Sequence, residues 1–338
     1  MRFTFWILFL SACIGFSANA ANCVFLPNKE IPIKILESKK ETYLLTEKSL
    51  FIKQNKAWSK IKNRDSLVEY KSALFLRDTL WLGSSKGLFA YKREMKEIAA
   101  VAIGSLHKNG SITGLAVDAE QHLWVSVFNQ GAYRKFGSKF ELLLDVNSTS
   151  ALTATPKGDV WVGSDIGLFQ YNLKDNTWAR YAEEGVSGSG LEIPDNIIDN
   201  LFSDNFSNTW VLMPDYFTLI SGEKGKEHLS FGGRALNHIE TIYSIFALDA
   251  KTFVFFSANG LLAYLPPLTE RSQSNEVHAA ENQKLIQLNV KDLIGKIQQG
   301  EVFFFIADRG KKDCWLVSNR AVYFVKKSKL RTVVLKQI

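Results

Sequence analysis

The residues of this sequence that could do chemistry are five histidines, three cysteines and a scatter of aspartates in turns. His107, His122, His228, His238 and His278 show no pairing at metal-ligand spacing, and none lies near a cysteine, so no metal centre is expected. Four of the five fall in predicted turns or insertions, where a solvated side chain is the expectation. No G-x-S-x-G, Gly-rich phosphate loop or H-E-x-x-H is present. Asp118, Asp159, Asp199 and Asp204 stand around turns that precede apolar, tryptophan-bearing segments. Their carboxylates are expected to accept hydrogen bonds from turn backbones. A calcium site would need several oxygen ligands in one loop, a pattern not seen here. The expectation is therefore no catalytic residue, no metal and no cofactor.

These residues must be positioned by a repeat. Val160-Trp161-Val162-Gly163-Ser164-Asp165-Ile166-Gly167-Leu168-Phe169-Gln170-Tyr171 reads as an apolar strand, a polar turn and a second apolar strand. A similar stretch runs from Leu80 to Tyr91, and degraded copies follow. Aligned on the residue two before the turn, seven frames are anchored at Tyr43, Trp81, Trp124, Trp161, Trp210, Val254 and Trp315. Their mean spacing of about 45 residues is that of propeller blades. Each unit also has an earlier strand, as in Ile112–Val117, and a later one, carrying Trp58 in the first unit and Trp178 in the fourth. Four short strands joined by tight turns make one blade. The sequence thus predicts an all-β chain: residues 21–338 as one domain, a seven-bladed β-propeller of four-stranded antiparallel blades. The tryptophans are read as packing between blades.

The ring is expected to start with Ile31–Leu36 as the innermost strand of the first blade and to end with Leu330–Leu335 as the outermost strand of the last. Alternatively, the N-terminal strand completes the last blade. The longest step between anchors contains Pro266-Pro267 and a polar run, residues 269–283, read as an exposed excursion that is either a binding loop or a disordered tip. A strand is expected over 284–290.

The repeat resembles that of the two-component regulator propellers, with units of the form Gly-x-Leu-Trp-Ile-Gly-Thr, two residues, then Gly-Leu and an aromatic. The best matches are Val160 to Tyr171 and Ile193-Pro194-Asp195-Asn196-Ile197-Ile198 leading to Trp210. The resemblance covers about residues 30–335; Tyr43 and Val254 replace Trp, and Ala321 replaces Gly. It implies a propeller of the kind that forms the extracellular sensor half of a longer signalling chain. With no kinase or DNA-binding segment in this sequence, a stand-alone exported form acting through a partner is expected.

Propeller ligands usually meet one end of the central channel, where the turns between second and third strands converge. Those turns offer Lys48, Lys86, Asn129, Asp165, Tyr216, Asn259 and Arg320 as candidate ligand-binding residues. The set is polar and mixed in charge, as a recognition surface requires.

Composition fits an exported globular chain. Of the 338 residues, 46% are hydrophobic, ample for a core. The formal charge is +7, or +6 without Arg2, and it is scattered. A nucleic-acid surface needs a clustered stripe, so nucleic acid is not an expected partner. The densest basic run, Lys326-Lys327-Ser328-Lys329-Leu330-Arg331, is read as an exposed edge strand. Residues 1–20 read as a signal peptide: Met1-Arg2, an apolar run from Phe3 to Phe16, then Ser17-Ala18-Asn19-Ala20-Ala21, with cleavage after Ala20. Leu10-Ser11-Ala12-Cys13 resembles a lipobox, and lipidation of Cys13 is the alternative. The chain is expected in the periplasm or secreted, with membrane contact only if lipidated. Export permits a disulfide, and one between Cys23 and Cys314 is expected, against the alternative of two unpaired buried thiols.

Three function classes remain. The first is a monomeric ligand- or protein-binding propeller, a sensor or interaction module whose partner is an envelope protein, a membrane signalling protein or a small ligand such as an oligosaccharide. The second is a propeller-type lyase or hydrolase acting on a polysaccharide or small molecule. The third is a structural scaffold or adhesion module.

Overall fold

The computed structural model describes residues 23–26, 30–38, 41–55, 57–63, 68–103, 110–183, 192–220, 228–231, 241–258, 260–265 and 284–337. The signal peptide with Cys13, the 266–283 excursion, Asn259, His107, His238 and His278 lie outside them, as does the side chain of His228.

Strand β1 (Cys23–Phe25) comes first. Blade 1 follows as β2 (Pro32–Glu37), β3 (Thr42–Thr46), β4 (Leu50–Gln54) and β5 (Ala57–Ile61). Blade 2 is β6 (Tyr70–Leu76), β7 (Thr79–Ser84), β8 (Gly87–Lys92) and β9 (Glu97–Val101). Blade 3 is β10 (Ile112–Val117), β11 (Leu123–Val127), β12 (Gly131–Phe136) and β13 (Lys139–Leu144). Blade 4 is β14 (Ala151–Ala154), β15 (Val160–Gly163), β16 (Leu168–Asn172) and β17 (Thr177–Tyr181). Blade 5 is β18 (Asn200–Ser203), β19 (Thr209–Leu212), β20 (Phe217–Ile220) and β21 (His228–Phe231). Blade 6 is β22 (Ile242–Asp249), β23 (Thr252–Ser257), β24 (Gly260–Leu265) and β25 (Lys284–Gln287). After helix α1 (Val290–Ile294), blade 7 has β26 (Phe303–Arg309), β27 (Asp313–Ser318) and β28 (Ala321–Lys326), and helix α2 (Lys327–Leu335) follows.

These are seven four-stranded antiparallel sheets in a ring, a seven-bladed β-propeller. Each of the seven anchors lies on the second strand of its blade. Seven hydrophobic clusters hold the ring, one at each junction between neighbouring blades. A single blade is a flat sheet with two apolar faces, so only stacking against its neighbours buries it. The tryptophans serve that stacking. Trp124 of blade 3 is fully buried, its ring 4.9 Å from Tyr171 and 5.9 Å from Trp178 of blade 4. Trp81, Trp161, Trp210 and Trp315 pack in the same direction, each against the next blade round the ring.

Ring closure differs from the first expectation and follows the alternative. The outermost strand of blade 7 is β1, paired to β28 with Cys23 opposite Tyr323 and Phe25 opposite Ala321. Leu330–Leu335 belongs to α2 and is not a strand, so the basic run decorates a helix and not a sheet edge. The buried residues Leu330, Val333 and Val334 explain this: positions i, i+3 and i+4 share one face only in a helix. The expected strand over 284–290 stops at Gln287, and Asn289 caps α1 by accepting from Lys291 N at 3.0 Å.

The expected disulfide is absent, and both cysteines are free thiols. Cys23 lies on β1 and Cys314 on β27, with β28 between them. Two strand spacings are on the order of 10 Å. That exceeds the roughly 4.4–6.8 Å between Cα atoms of a disulfide. Cys314 is fully buried, and desolvation pushes its thiol up to about 12.

Successive strands alternate in direction. All turns between second and third strands therefore lie at one end of the ring, with the entries into the inner strands. We call this the upper end; turns between first and second and between third and fourth strands form the lower end.

Candidate functional site

At the upper end the turns are built on a recurring hydroxyl. Ser164, fully buried at the end of β15, donates to Gly167 O at 2.9 Å and accepts from Ile166 N at 3.1 Å. Ser84 holds its turn in the same way, donating to Gly87 O at 2.8 Å and accepting from Lys86 N at 3.1 Å. In blade 7 Ser318 accepts from Arg320 N at 3.1 Å and donates to Glu301 at 2.6 Å. Because the hydroxyl satisfies the turn backbone, the residue at the tip is free to vary. The Ser of the repeat is thus structural.

The sequence-predicted residues with described positions all stand on these turns. Lys48, Asn129 and Asp165 are exposed; Lys86, Tyr216 and Arg320 are half-buried. Lys48 pairs with Glu47 at 3.5 Å. Arg320 is held inward, donating to Gln299 O at 2.8 Å and Gln298 Oε1 at 3.4 Å. Tyr216 packs on the core cluster between blades 4 and 5, which makes it partly a core residue.

Beside these polar groups the upper end exposes apolar ones. Eleven large hydrophobic residues are exposed among the described ones. Seven of them, Phe25, Ile31, Phe128, Ile166, Ile197, Tyr243 and Val302, stand at the upper end. The segments carrying Ile166 and Ile197 are joined, since Ile198 N donates to Ser164 O at 2.9 Å. The inner strands add a second device. β2, β6, β10, β22 and β26 each carry a bulge one residue in from their upper end, and β14 and β18 do not. A bulge re-aims the inserted side chain, here Ile33, Lys71, Thr113, Tyr243 and Phe304. Tyr243 and Phe304, on adjacent blades, lie 5.8 Å apart between ring centroids. Deeper along the inner strands, Lys34 is open to water yet enclosed by protein, as a group facing the central channel is, and desolvation lowers its ammonium below the usual lysine range.

The lower end is different in kind. Asp118, in the turn after β10, accepts from His122 N at 2.9 Å and Trp124 Nε1 at 2.8 Å. That confirms its turn-holding role and adds a tryptophan partner. Arg134 Nη2 lies 2.8 Å from Asp118 Oδ2 and 2.8 Å from His122 Nδ1, and also contacts Glu120. Asp118, Glu120 and His122 present ligand atoms within 4.8 Å of one another. His122 is therefore no solvated loop residue. The three could hold a cation, but the guanidinium nitrogen already stands at the centre of the group, within hydrogen-bond reach of all three. Asp204 repeats the turn role in blade 5, accepting from Phe206 N and Asn208 N at 2.8 and 3.0 Å. Burial raises its carboxyl, against the hydrogen bonds from Asn208 that lower it.

No family model matches the sequence, and no curated protein matches it. Solved structures do match. An extracellular domain attributed to the hybrid two-component system BT3049 from B. thetaiotaomicron aligns at a TM-score of 0.60 and 16% identity, over 89% of this chain and 40% of that one. The chain thus spans about two fifths of that domain. A catalytically inactive virginiamycin B lyase from Staphylococcus aureus, solved with quinupristin, aligns at 0.63 and 11% identity over 90% of this chain and 98% of that one. YCF48 bound to D1 peptide aligns at 0.63 and 10% identity, over 90% and 94%. At these identities the likeness establishes the fold that the chain shares with sensor, lyase and peptide-binding propellers.

Proposed function

We propose that this chain is an exported binding propeller whose upper end holds a peptide segment of a partner protein. The observation that carries the reading is the gathering of seven exposed apolar side chains at one end of the ring. Exposed apolar area concentrated beside polar groups marks recognition surfaces. The polar turns with Lys48, Lys86, Asn129, Asp165, Tyr216, Asn259 and Arg320 would supply register and specificity around these anchors. The peptide-bound state of YCF48 supports the mode, and the extracellular domain of BT3049 supports export and a sensing or assembly role through a partner. The signal-peptide pattern of residues 1–20 and the two-component-type repeat point the same way. The lyase reading would need titratable groups free at the channel mouth. Glu301 there is engaged by Ser318 and Tyr323, Asp165 stands exposed on its turn, and the histidine with a described side chain, His122, lies at the lower end.

The test selects peptides from a random twelve-residue library on the mature chain and maps them by methyl chemical shifts. Shifts are expected at Ile31, Ile166, Ile197 and Val302, with binding lost in Ile166→Asp/Ile197→Asp. Selected peptides that map to the lower end or the blade sides, or that bind the double variant unchanged, would overturn the reading. Export is tested separately by fusing residues 1–40 to a phosphatase active only outside the cytoplasm; an inactive fusion removes that part alone.

A further inference from the structure

The lower end holds a cleft of about 320 Å³ between blades 2 and 3. Its floor is apolar: Trp81, Leu76 and Leu123. Its rim carries Arg77, His122 and Lys135. Among the described residues no carboxylate lines it. Asp78 stands in the same turn, between the lining residues Arg77 and Thr79, but is not itself part of the lining, and Asp118 and Glu120 are engaged by Arg134.

That engagement also sets the chemistry of His122. A guanidinium can only donate, so His122 Nδ1 must accept from Arg134 Nη2 at 2.8 Å. A ring that accepts at Nδ1 carries its proton on Nε2, and His122 lines the cleft. Lys135 is positioned by the carbonyl of Gly137, to which it donates, with its ammonium 6.0 Å from the Trp81 ring centroid. Arg77 is exposed at the tip of its turn. Two cations and an imidazole thus line one cleft with the apolar Trp81, Leu76 and Leu123, the neutral polar Thr79 and Gln121 completing it. The volume lies at the small end of the range for ligand pockets.

We infer that this cleft binds a small organic anion, a carboxylate on a flat apolar body. The carboxylate faces Arg77, Lys135 and His122 Nε2–H, and the body lies along Trp81 and Leu123. A guanidinium matches a carboxylate in geometry as well as charge, which favours this group over a neutral amide. The site is independent of the upper end and of any peptide held there.

Indole-3-acetate and the isosteric neutral indole-3-acetamide are the probes, titrated into the mature wild-type chain and followed by chemical shifts of the indole N–H of Trp81 and the side chain of His122. Acetate is expected to bind at least about fivefold more tightly than the amide, the sum of two solvent-screened charge contacts. Arg77→Gln/Lys135→Gln is expected to bring acetate down to the amide, with an unchanged melting temperature because both side chains are on the surface. Equal binding of the two probes, acetate binding intact in the double variant, or acetate shifts confined to the upper end would each overturn the assignment. If the double variant fails to fold, the wild-type acetate-to-amide ratio and its shift map decide by themselves.

Discussion

The two ends of the ring are built from the same repeat and solve the turn problem differently. At the upper end a small hydroxyl, as at Ser84 and Ser164, satisfies the turn backbone from inside and leaves the tip unconstrained. An apolar side chain such as Ile166 then stands in water on a backbone held from within. At the lower end of blades 3 and 5 a carboxylate, Asp118 or Asp204, does the same job. Asp118 holds its turn, the blade tryptophan and Arg134 at once, so the lower turn of blade 3 is part of an ion-paired network. An end whose turns are held by neutral groups can vary for recognition at little cost in stability; an end held by buried charges cannot.

The hardest test of that contrast is Asp118→Ala. It removes the partners of His122 N and Trp124 Nε1 and leaves the Arg134 guanidinium, with only 4% of its side chain exposed, short of its buried anion. Breaking a buried pair from one side costs about 3–5 kcal/mol. Urea denaturation should show a loss of that size, and a loss below about 1 kcal/mol, the scale of a surface pair, would break the comparison.

Between the ends lies the wall of inner strands, where Gly114→Ala is the next largest effect. A Cβ there would sit 2.6 Å from the Leu152 Cβ and 2.7 Å from the Leu152 backbone nitrogen of the next blade. Backbone cannot swing away, so blades 3 and 4 must separate, at a cost of about 1–3 kcal/mol in denaturant unfolding. Ser164→Ala comes below it. The change removes the acceptor of Ile166 N and one of two donors to Gly167 O, which keeps its bond from Ser164 N at 3.1 Å, and should cost about 1 kcal/mol.

The contrast between ends was only half legible in the sequence. The blades were, because Trp161, Gly163 and their counterparts recur at blade spacing and each packs in the same way. Closure was not: Cys23–Phe25 is three residues long, too short for any period to show, and Arg331-Thr332-Val333-Val334 has the β-branched composition of a strand although Leu330, Val333 and Val334 carry helical spacing. The disulfide failed for a related reason. Both cysteines belong to blade 7, yet only the strand order shows β28 between them. The Asp118 cluster was hidden because Arg134 reaches it from the next strand, through the pairing of Trp124 with Arg134. An Asp-x-Glu-x-His run ahead of a strand whose hairpin partner carries an arginine was the available signal. At the upper end the polar tips were read correctly as turn residues and Ile166 falls inside its turn, but that Ile166 and Phe128 stand exposed there is a tertiary outcome that spacing does not carry.

The smallest stability effect is the sharpest test of the upper end. Ile166 is 44% exposed, and Ile197 48%. Neither fills the core, and Ser164 holds the turn whatever stands at its tip. Ile166→Ser should therefore change stability by no more than about 0.5 kcal/mol in either direction. Binding of an upper-end peptide should meanwhile weaken about tenfold, as expected when one apolar anchor is removed from a recognition surface. The two readouts separate the alternatives. A drop in stability of about 2 kcal/mol would mean that Ile166 is core and the upper end is no freer than the lower. Unchanged stability with unchanged peptide affinity would mean that the exposed apolar side chains are incidental. Only unchanged stability with lost affinity fits an end whose backbone is fixed from within so that its surface can be spent on a partner.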